Sequence, residues 1–396
     1  MYSFIFFLAI CSAFALNING SRPAVENEKM VGCYYQHYDN KPIEEMPNLP
    51  LNLKNVDKPL CTHLYHNWAG LDKNTTVVVL NPEQDTSHKG FEKFNKLRKK
   101  HPTLKTLISM LPMWNVLPSQ GYEDYSKLLS DPSLRDKLVD NVFDFVKKYK
   151  FNGIELYWNF PDKDGKHSSD KKNFVSLLKE FRAKFDKESL ILSVQIGSKE
   201  TIADIYDING VSKYVHFINL QTFDSHNSTD TNKKVYHNAA LFPSSKESAQ
   251  EKKLNLASVV EYCLKNGAPA EKLILEIPFY GTNYTLADRH KIGRGAPISA
   301  GNSSARPYNE ICLLENNPKW KHLYDDEQKV PYIYKKKQII AYDNVQSIKE
   351  KAKYAMGKNL GGAVIWTVDE DDFEGKCGGE KFPLLKALNR ALGRKF

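Results

Sequence analysis

Three polar side chains alternate along one short apolar stretch at residues 151–161: Glu155, Tyr157 and Asn159. In an extended strand, side chains two residues apart point to the same face, so these three share a face. A carboxylic acid there could act as a general acid or base, whereas the Asn159 amide has no titratable proton near neutral pH. The Tyr157 phenol, with an ordinary pKa of about 10, is a poor replacement. Acid catalysis would therefore depend on Glu155, or on Asp224 further along the chain.

The stretch belongs to one of eight short apolar runs that are typical of strands buried on both faces of a parallel sheet. The runs are 30–35, 63–68, 104–111, 153–158, 190–195, 214–220, 273–280 and 362–366. Helices are predicted between them. The clearest begins at Asp131-Pro132, an N-cap acceptor followed by proline at the first helical position. This alternation predicts an α/β fold, a (β/α)8 TIM barrel over residues 21–396. Residues 283–340 are too many for one helix and predict a small inserted α+β subdomain between strands seven and eight.

Functional side chains of such barrels collect at the C-terminal ends of the strands. Here those ends are mostly aromatic. They include Tyr34, Trp68, Trp114, Tyr157, Tyr280 and Trp366, with Asp224 after the sixth run.

Short motifs recur in a fixed order along nearly the whole chain. Residues 151–161 read FNGIELYWNFP, and the other motifs are CYY at 33–35, CTHL at 61–64, WN at 114–115, TFD at 222–224, YG at 280–281, YNEIC at 308–312 and GGAVIW at 361–366. Together they resemble glycoside hydrolase family 18, whose fourth-strand signature is F-D-G-[IL]-D-[LIF]-D-W-E-Y-P. The resemblance implies the chitinase chemistry of that family, which cleaves β-1,4 bonds between N-acetylglucosamine units.

The chain departs from the family at every acidic position of this signature. In the family, the final Glu protonates the leaving oxygen, and the Asp two residues earlier orients the acetamide of the substrate, which is itself the nucleophile. Here these two positions hold Asn159 and Tyr157, and the two outer positions hold Glu155 and Asn152. General acid catalysis contributes about 10²–10⁴-fold to such reactions. We therefore expect no chitinase activity.

A set of sugar-binding candidates is nevertheless retained. The resemblance implies Trp366, Trp114, Tyr34, Asp224 and Tyr280 as ligand-binding residues. Trp366 matches the floor of the family's central subsite, and Trp114 matches a groove-lining tryptophan. Aromatic planes offer area that suits the apolar face of a pyranose ring. Two alternatives stay open: Tyr34 and Tyr280 could belong to the barrel core, and Tyr157 with Asn159 could fill the central subsite.

The cysteines and the N-terminal segment indicate an extracellular protein. Residues 2–15 are apolar and end in Ala-Phe-Ala, which predicts a signal peptide over 1–20 and secretion. Five cysteines remain, and sequence alone leaves their pairing open. The resemblance implies the disulfides Cys33–Cys61 and Cys312–Cys377, which leaves Cys263 unpaired. The position of Cys263 in a predicted helix over 256–266 favours a packed, unreactive thiol. Sequons make Asn74, Asn227, Asn283 and Asn302 candidates for glycosylation.

Charge and composition argue against several classes of partner. The formal charge of +9 is modest for 396 residues, and basic runs such as Lys147-Lys148 and Lys335-Lys336-Lys337 are short and scattered. They are typical of solvated faces rather than of a nucleic-acid site. Past the N-terminal segment no stretch reaches transmembrane length. No metal-ligand spacing or phosphate loop occurs, so we expect a monomer without cofactor or metal.

Three functional hypotheses follow. The first is a chitinase-like protein that binds chitin-type oligosaccharide or another glycan without cleaving it. The second is a signalling protein that acts through a protein receptor, as in the insect imaginal-disc growth factors that share the resemblance and also lack the acid. The third is residual hydrolysis through Asp224 or Glu155.

Overall fold

Eight parallel strands close into a ring in the computed structural model, which describes residues 28–36, 59–113, 121–158, 169–197, 205–224 and 233–396. The eight strands of the ring are β1 Met30–Gln36, β2 His63–Leu71, β4 Lys105–Pro112, β5 Gly153–Leu156, β6 Ile191–Ile196, β7 Phe217–Gln221, β8 Leu273–Pro278 and, after five strands of an insertion, β14 Gly362–Trp366. The short β3 Val77–Val79 is a ninth strand of the same sheet and pairs with β2 outside the ring. Pairing runs in the order β1-β14-β8-β7-β6-β5-β4-β2, and β1 also pairs with β2, which closes the ring. The predicted (β/α)8 barrel is confirmed.

The signal peptide, Asn159, Trp114 and Asn227 lie outside the described residues. Their predicted roles stay predictions.

The barrel strands are apolar because both of their faces are covered. All four residues of β5 and all six of β8 are buried. A Cβ at Gly153 would lie 2.0 Å from the carbonyl oxygen of Ile191, so only glycine lets β5 and β6 approach this closely.

Helices pack around the ring. They are α1 Gly90–Lys96, α2 Tyr122–Ser130, α3 Pro132–Tyr149, α4 Asp170–Phe185, α5 Ile208–Tyr214, α6 Leu256–Lys265, α7 Tyr308–Glu315 (in the insertion), α8 Val345–Gly357 and α9 Pro383–Ala391. The predicted start of α3 is confirmed, since the Asp131 side chain accepts hydrogen bonds from the backbone N–H groups of Ser133 and Leu134. No helix in the described ranges is long and apolar enough to cross a membrane.

Three strand predictions need correction. The run 214–220 begins too early, because Tyr214 ends α5 and the strand starts at Phe217. The run 273–280 is divided, since β8 ends at Pro278 and Tyr280 opens the first strand of the insertion. The short β3, which pairs antiparallel with β2, was absent from the predicted set.

The insertion between β8 and β14 forms its own antiparallel sheet. Its strands are β9 Tyr280–Leu286, β10 Ile298–Pro307, β11 Lys321–Asp325, β12 Val330–Lys335 and β13 Gln338–Ala341, in the order β10-β9-β13-β12-β11. One face packs on a small core of its own that includes Val235, Leu286 and Val330. Val235 comes from the segment that follows β7, so this segment and the insertion share one apolar cluster.

Two disulfides fasten the fold. Cys33 is joined to Cys61 and Cys312 to Cys377, which confirms both predicted pairs. Cys263 is free and buried in α6. Burial raises the pKa of its thiol to about 12, which keeps it protonated and agrees with an inert role.

Candidate functional site

Glu155 on β5 lies inside the barrel and has no solvent exposure. Its Oε1 accepts hydrogen bonds from the Tyr34 hydroxyl at 2.6 Å and from Asn219 Nδ2 at 2.5 Å, while its Oε2 accepts one from the Ser109 hydroxyl at 2.8 Å. These donors come from β1, β7 and β4, so the carboxylate joins four strands across the barrel interior. Glu155 is therefore a buried structural acid with no surface exposed to a ligand, which argues against its predicted role in residual hydrolysis.

Burial raises the pKa of Glu155 to about 7, and the three hydrogen bonds oppose that rise. A second interior carboxylate, Glu276 on β8, accepts a hydrogen bond of 2.6 Å from Gln195. The pKa of Glu276 is also raised, chiefly by burial and further by the nearby Glu155. Near neutral pH the barrel interior therefore favours protonated acids over a pair of negative charges.

Asn152 occupies a different environment at the start of β5. Its side-chain oxygen accepts a hydrogen bond of 3.0 Å from the Thr106 backbone N–H. The contact ties the chain entering β5 to β4, at the end of the barrel opposite the strand C-termini. Asn152 is thus a structural residue and takes no part in the mouth.

Tyr157 stands at the mouth, just past the end of β5, and is partly exposed. Its ring centroid lies 5.7 Å from that of Trp68, and Trp68 lies 5.8 Å from Trp366. All three side chains are half-buried. Trp68 therefore contacts both other rings, and the three form what we call the mouth platform: Trp366, Trp68 and Tyr157.

The placement of Trp68 comes from an irregularity in β2. The register between β2 and β4 shifts between Asn67 and Ala69, which leaves Trp68 as the extra residue of a bulge. Bulges redirect a side chain relative to its strand. Trp68 was visible in the sequence as a strand-end aromatic residue, but its role in the site was missed because a bulge depends on the partner strand.

Beneath the platform lies Tyr34, whose ring centroid is 5.0 Å from Trp366. Tyr34 is fully buried, and its hydroxyl already donates to Glu155. We therefore reassign Tyr34 from ligand contact to support: it holds Trp366 from below and joins the mouth to the interior network.

Asp224 and Tyr280 form the polar side of the mouth. The Tyr280 hydroxyl donates a short hydrogen bond to Asp224 Oδ2, and the Tyr280 ring packs edge-on against Phe223 at 5.9 Å. Burial of the carboxylate raises the pKa of Asp224, and the bond from Tyr280 opposes the rise. Tyr280 is 9% exposed, so its hydroxyl positions Asp224 while its ring offers little surface to a ligand.

Comparisons with known proteins decide the family. The model of glycosyl hydrolases family 18 matches residues 30–371. The chain belongs to glycoside hydrolase family 18. Probable chitinase 2 of Drosophila melanogaster is 32% identical over 92% of this chain and 81% of its own length.

Solved structures agree with this placement. The Group IV chitinase of Ostrinia furnacalis is 33% identical and superposes with a TM-score of 0.80 over 92% of this chain and all of that chain. Human YKL-39, described as a pseudo-chitinase with retained chitooligosaccharide binding properties, is 27% identical and gives a TM-score of 0.79 over 92% of this chain and 100% of that chain. The similar structures thus include a chitinase and a pseudo-chitinase that retains chitooligosaccharide binding.

Within this family 18 barrel, one further acid borders the mouth and was missed. Glu370 follows Trp366 closely and accepts a hydrogen bond of 2.8 Å from the Thr367 backbone N–H, capping a short 3₁₀ helix. Burial raises the pKa of Glu370 to about 8. The carboxylate is turned back onto its own backbone, where it serves the cap. Its position in a Thr-x-x-Glu capping box was the signal that could have found it.

The described sequons differ in surroundings. Asn74 is exposed in a turn in which its backbone N–H donates to Asp72. Asn283 lies within β9 between two paired strands and is half-buried. Asn302 lies in β10. Glycosylation stays a prediction for all of them.

Proposed function

We propose that this chain is a secreted family 18 protein that binds chitin-type oligosaccharide or a related glycan at the barrel mouth and does not hydrolyse it. The observation that carries the proposal is the mouth platform, where Trp366, Trp68 and Tyr157 present half-exposed rings at the C-terminal ends of three strands. Aromatic planes of this kind suit the apolar faces of pyranose rings. The chitooligosaccharide binding of the related YKL-39 supports the same ligand class.

The missing hydrolysis rests on the chemistry of the replaced acids. An Asn159 amide cannot donate a proton as a carboxylic acid does. Glu155 is fully buried and its oxygens already accept three hydrogen bonds. Asp224 accepts a hydrogen bond from Tyr280, and the two inner signature positions hold Tyr157 and Asn159 rather than carboxylic acids.

Calorimetry with chitohexaose tests the binding. We expect roughly micromolar to millimolar affinity and a loss of at least about tenfold in Trp366→Ala, since truncating a central aromatic residue typically has that effect. Trp320→Ala is the matched control, because Trp320 is also half-buried but lies in the insertion. Absence of heat together with no retention on chitin beads would remove the binding half of the proposal.

A fluorogenic chitotriose assay from pH 3 to 9 tests the missing hydrolysis. We expect no turnover above background in the unmodified protein. Turnover that disappears in Asp224→Asn, or in Glu155→Gln, would overturn the proposal and identify a rearranged acid. The same assay on the Ostrinia furnacalis Group IV chitinase serves as the positive control.

A second candidate is a signalling protein whose mouth is closed and whose partner is a protein receptor. The observation that favours it is the Tyr157 ring, which packs against Trp68 and so occupies part of the mouth. Receptor capture that is unaffected by Trp366→Ala, in a protein that gives no heat with chitohexaose, would favour this candidate. Secretion is part of both proposals, and the two disulfides support it because such bonds persist in oxidising compartments.

A further inference from the structure

Three basic segments that are far apart in the sequence meet at one end of the inserted sheet. They are residues 233–234, 287–291 and 335–337, which we call the insert basic end. The sequence predicted short, scattered runs that are merely solvated. The structure changes that interpretation, because strand pairing in the insertion brings the segments side by side.

Hydrogen bonds and a β-bridge join the three segments one after another. The Leu286 N–H donates to the Lys337 carbonyl at 2.7 Å, and the Lys337 ammonium donates to the Ala287 carbonyl at 3.2 Å. The Ala287 N–H in turn donates to the Pro297 carbonyl at 2.9 Å. Pro297 forms a β-bridge with Lys234. The turn after β9 and the turn before β13 are therefore direct neighbours, and the segment at 233–234 lies one strand further along, on the other side of Pro297.

The charge of this surface is one-sided. Its cations are Lys233, Lys234, Arg289, Lys291, Lys335, Lys336 and Lys337, and its acid is Asp288. None of the seven cations forms an ion pair with a carboxylate within the described ranges. Lys234 contributes weakly to lowering the pKa of Glu251, which is held down chiefly by Ser248. Most of the positive charge at the insert basic end is thus uncompensated.

The side chains are available to a partner. Lys233, Arg289, Lys291 and Lys336 are exposed, and the strand ends that carry the turns are about 4.8 Å apart, as in any sheet. A row of exposed cations on adjacent turns presents charge along a line. Such an arrangement suits an extended polyanion better than a single small anion.

We propose that the insert basic end binds an extracellular sulfated or carboxylated polysaccharide. The two disulfides place the fold among proteins of oxidising compartments, where acidic polysaccharides are present and nucleic acid and the anionic cytoplasmic leaflet are not. The site is separate from the barrel mouth, whose polar side carries the acidic side chains Asp224 and Glu370. One chain then has two carbohydrate sites of opposite character, a neutral one and a cationic one.

Surface plasmon resonance with an immobilised heparin octasaccharide tests this site. The test variant replaces four exposed cations of the insert basic end by glutamine: Lys233, Arg289, Lys291 and Lys336. The control variant removes the same net charge from exposed lysines of the barrel helices and the turn after α1: Lys96, Lys99, Lys100 and Lys137. Trp366→Ala tests independence from the mouth. Circular dichroism checks that each variant is folded, and chitohexaose binding checks that the two charge variants keep an intact barrel mouth.

We expect the test variant to bind heparin at least about tenfold more weakly, with a smaller dependence of log Kd on log salt, because fewer counterions are released. The control variant and Trp366→Ala should change affinity by less than about threefold. Equal losses in the test and control variants would show attraction by net charge alone and overturn the site. Binding of the unmodified protein to phosphatidylserine vesicles or single-stranded DNA at the heparin affinity would also overturn the assignment to a polysaccharide.

Discussion

The interior and the mouth of the barrel differ in polarity and exposure, although residues only two positions apart in the chain, Glu155 and Tyr157, represent them. Inside, Glu155 is fully buried and accepts three hydrogen bonds from neighbouring strands. Two residues further on, Tyr157 is half-exposed and contacts Trp68. The signature position whose side chain is hydrogen-bonded by other protein groups thus holds a carboxylate. The signature position at the mouth holds an aromatic ring instead of the family's carboxylate.

This difference indicates which positions of the family signature the fold itself constrains in this chain. A buried acid with three donors is difficult to lose, because its removal leaves the donors without partners. An acid at the mouth faces water and can be replaced without harm to the fold. In this chain the signature position inside the barrel holds a carboxylate, and the position at the mouth holds an aromatic ring.

The largest expected effect is on stability, and it separates the two regions. Glu155→Ala should lower the free energy of unfolding by about 4 kcal/mol, since Tyr34, Asn219 and Ser109 lose their shared acceptor and a cavity remains. Tyr157→Ala should lower it by about 1 kcal/mol, because the ring contact that is lost is partly exposed. Urea unfolding followed by circular dichroism measures both.

Equal losses in the two variants would mean that interior and mouth do not differ as proposed. Glu155→Gln is the matched control, because the amide keeps the shape and an acceptor oxygen. It should recover most of the stability that the alanine variant loses.

The next effect is the pH dependence of stability. The pKa of Glu155 rises from 4.5 to about 7 on folding, so the folded state binds this proton more tightly. The free energy of unfolding should therefore fall as pH rises through that window, by about 3 kcal/mol for this group at 1.36 kcal/mol per unit. Glu276 acts in the same direction. Unfolding curves at pH 4.5, 6 and 8 measure the slope.

Glu155→Gln cannot titrate and should flatten this slope. The remaining decline would then come from Glu276 and other buried acids. If the variant and the unmodified protein decline equally between pH 4.5 and 8, Glu155 is ionised in the folded state throughout, and the interior network is a charged one.

Much of this contrast could be predicted from the sequence. The two-residue spacing of Glu155 and Tyr157 predicts that they share one face whatever the partner strands are. Eight apolar runs and the Asp131 cap are local patterns, and local patterns survive into the fold. The disulfides followed from family motifs rather than from spacing.

Other features depend on partners that no local pattern shows. Trp68 reaches the platform through a bulge against β4, and Tyr34 is buried because the ring closes around β1. The start of β7 was misplaced because apolar residues continue from α5 into the strand, with Val211 and Val215 both buried. The insert basic end exists only once β9 and β13 pair.

A smaller effect concerns the role of Tyr157 in ligand binding. The direction in which Tyr157→Ala changes the affinity for chitohexaose distinguishes the two proposed functions. If the ring belongs to a binding platform, Tyr157→Ala should weaken chitohexaose binding about fivefold, the typical effect of losing one aromatic contact. If the ring instead closes the mouth, its removal should strengthen binding. We expect the loss. Calorimetry on Tyr157→Ala beside Trp68→Ala measures it, and a gain of affinity in the first variant alone would favour the receptor-binding function.

The smallest effect lies at the polar side of the mouth. The hydrogen bond from Tyr280 lowers the pKa of Asp224 against the rise caused by burial, so Tyr280→Phe should raise it further. If a hydroxyl of the bound glycan donates to the ionised carboxylate, acidification should weaken binding at a higher pH in this variant than in the unmodified protein. The loss at any one pH should be about twofold, as for a single neutral hydrogen bond. Calorimetry from pH 4 to 8 measures the displacement of the pH profile of binding. Tyr284→Phe is the control, because it removes a hydroxyl of the insertion that donates to the Tyr236 backbone carbonyl. Superimposable pH profiles for Tyr280→Phe and the unmodified protein would show that Asp224 does not contact the ligand, and would leave the mouth platform as the binding surface among the described residues.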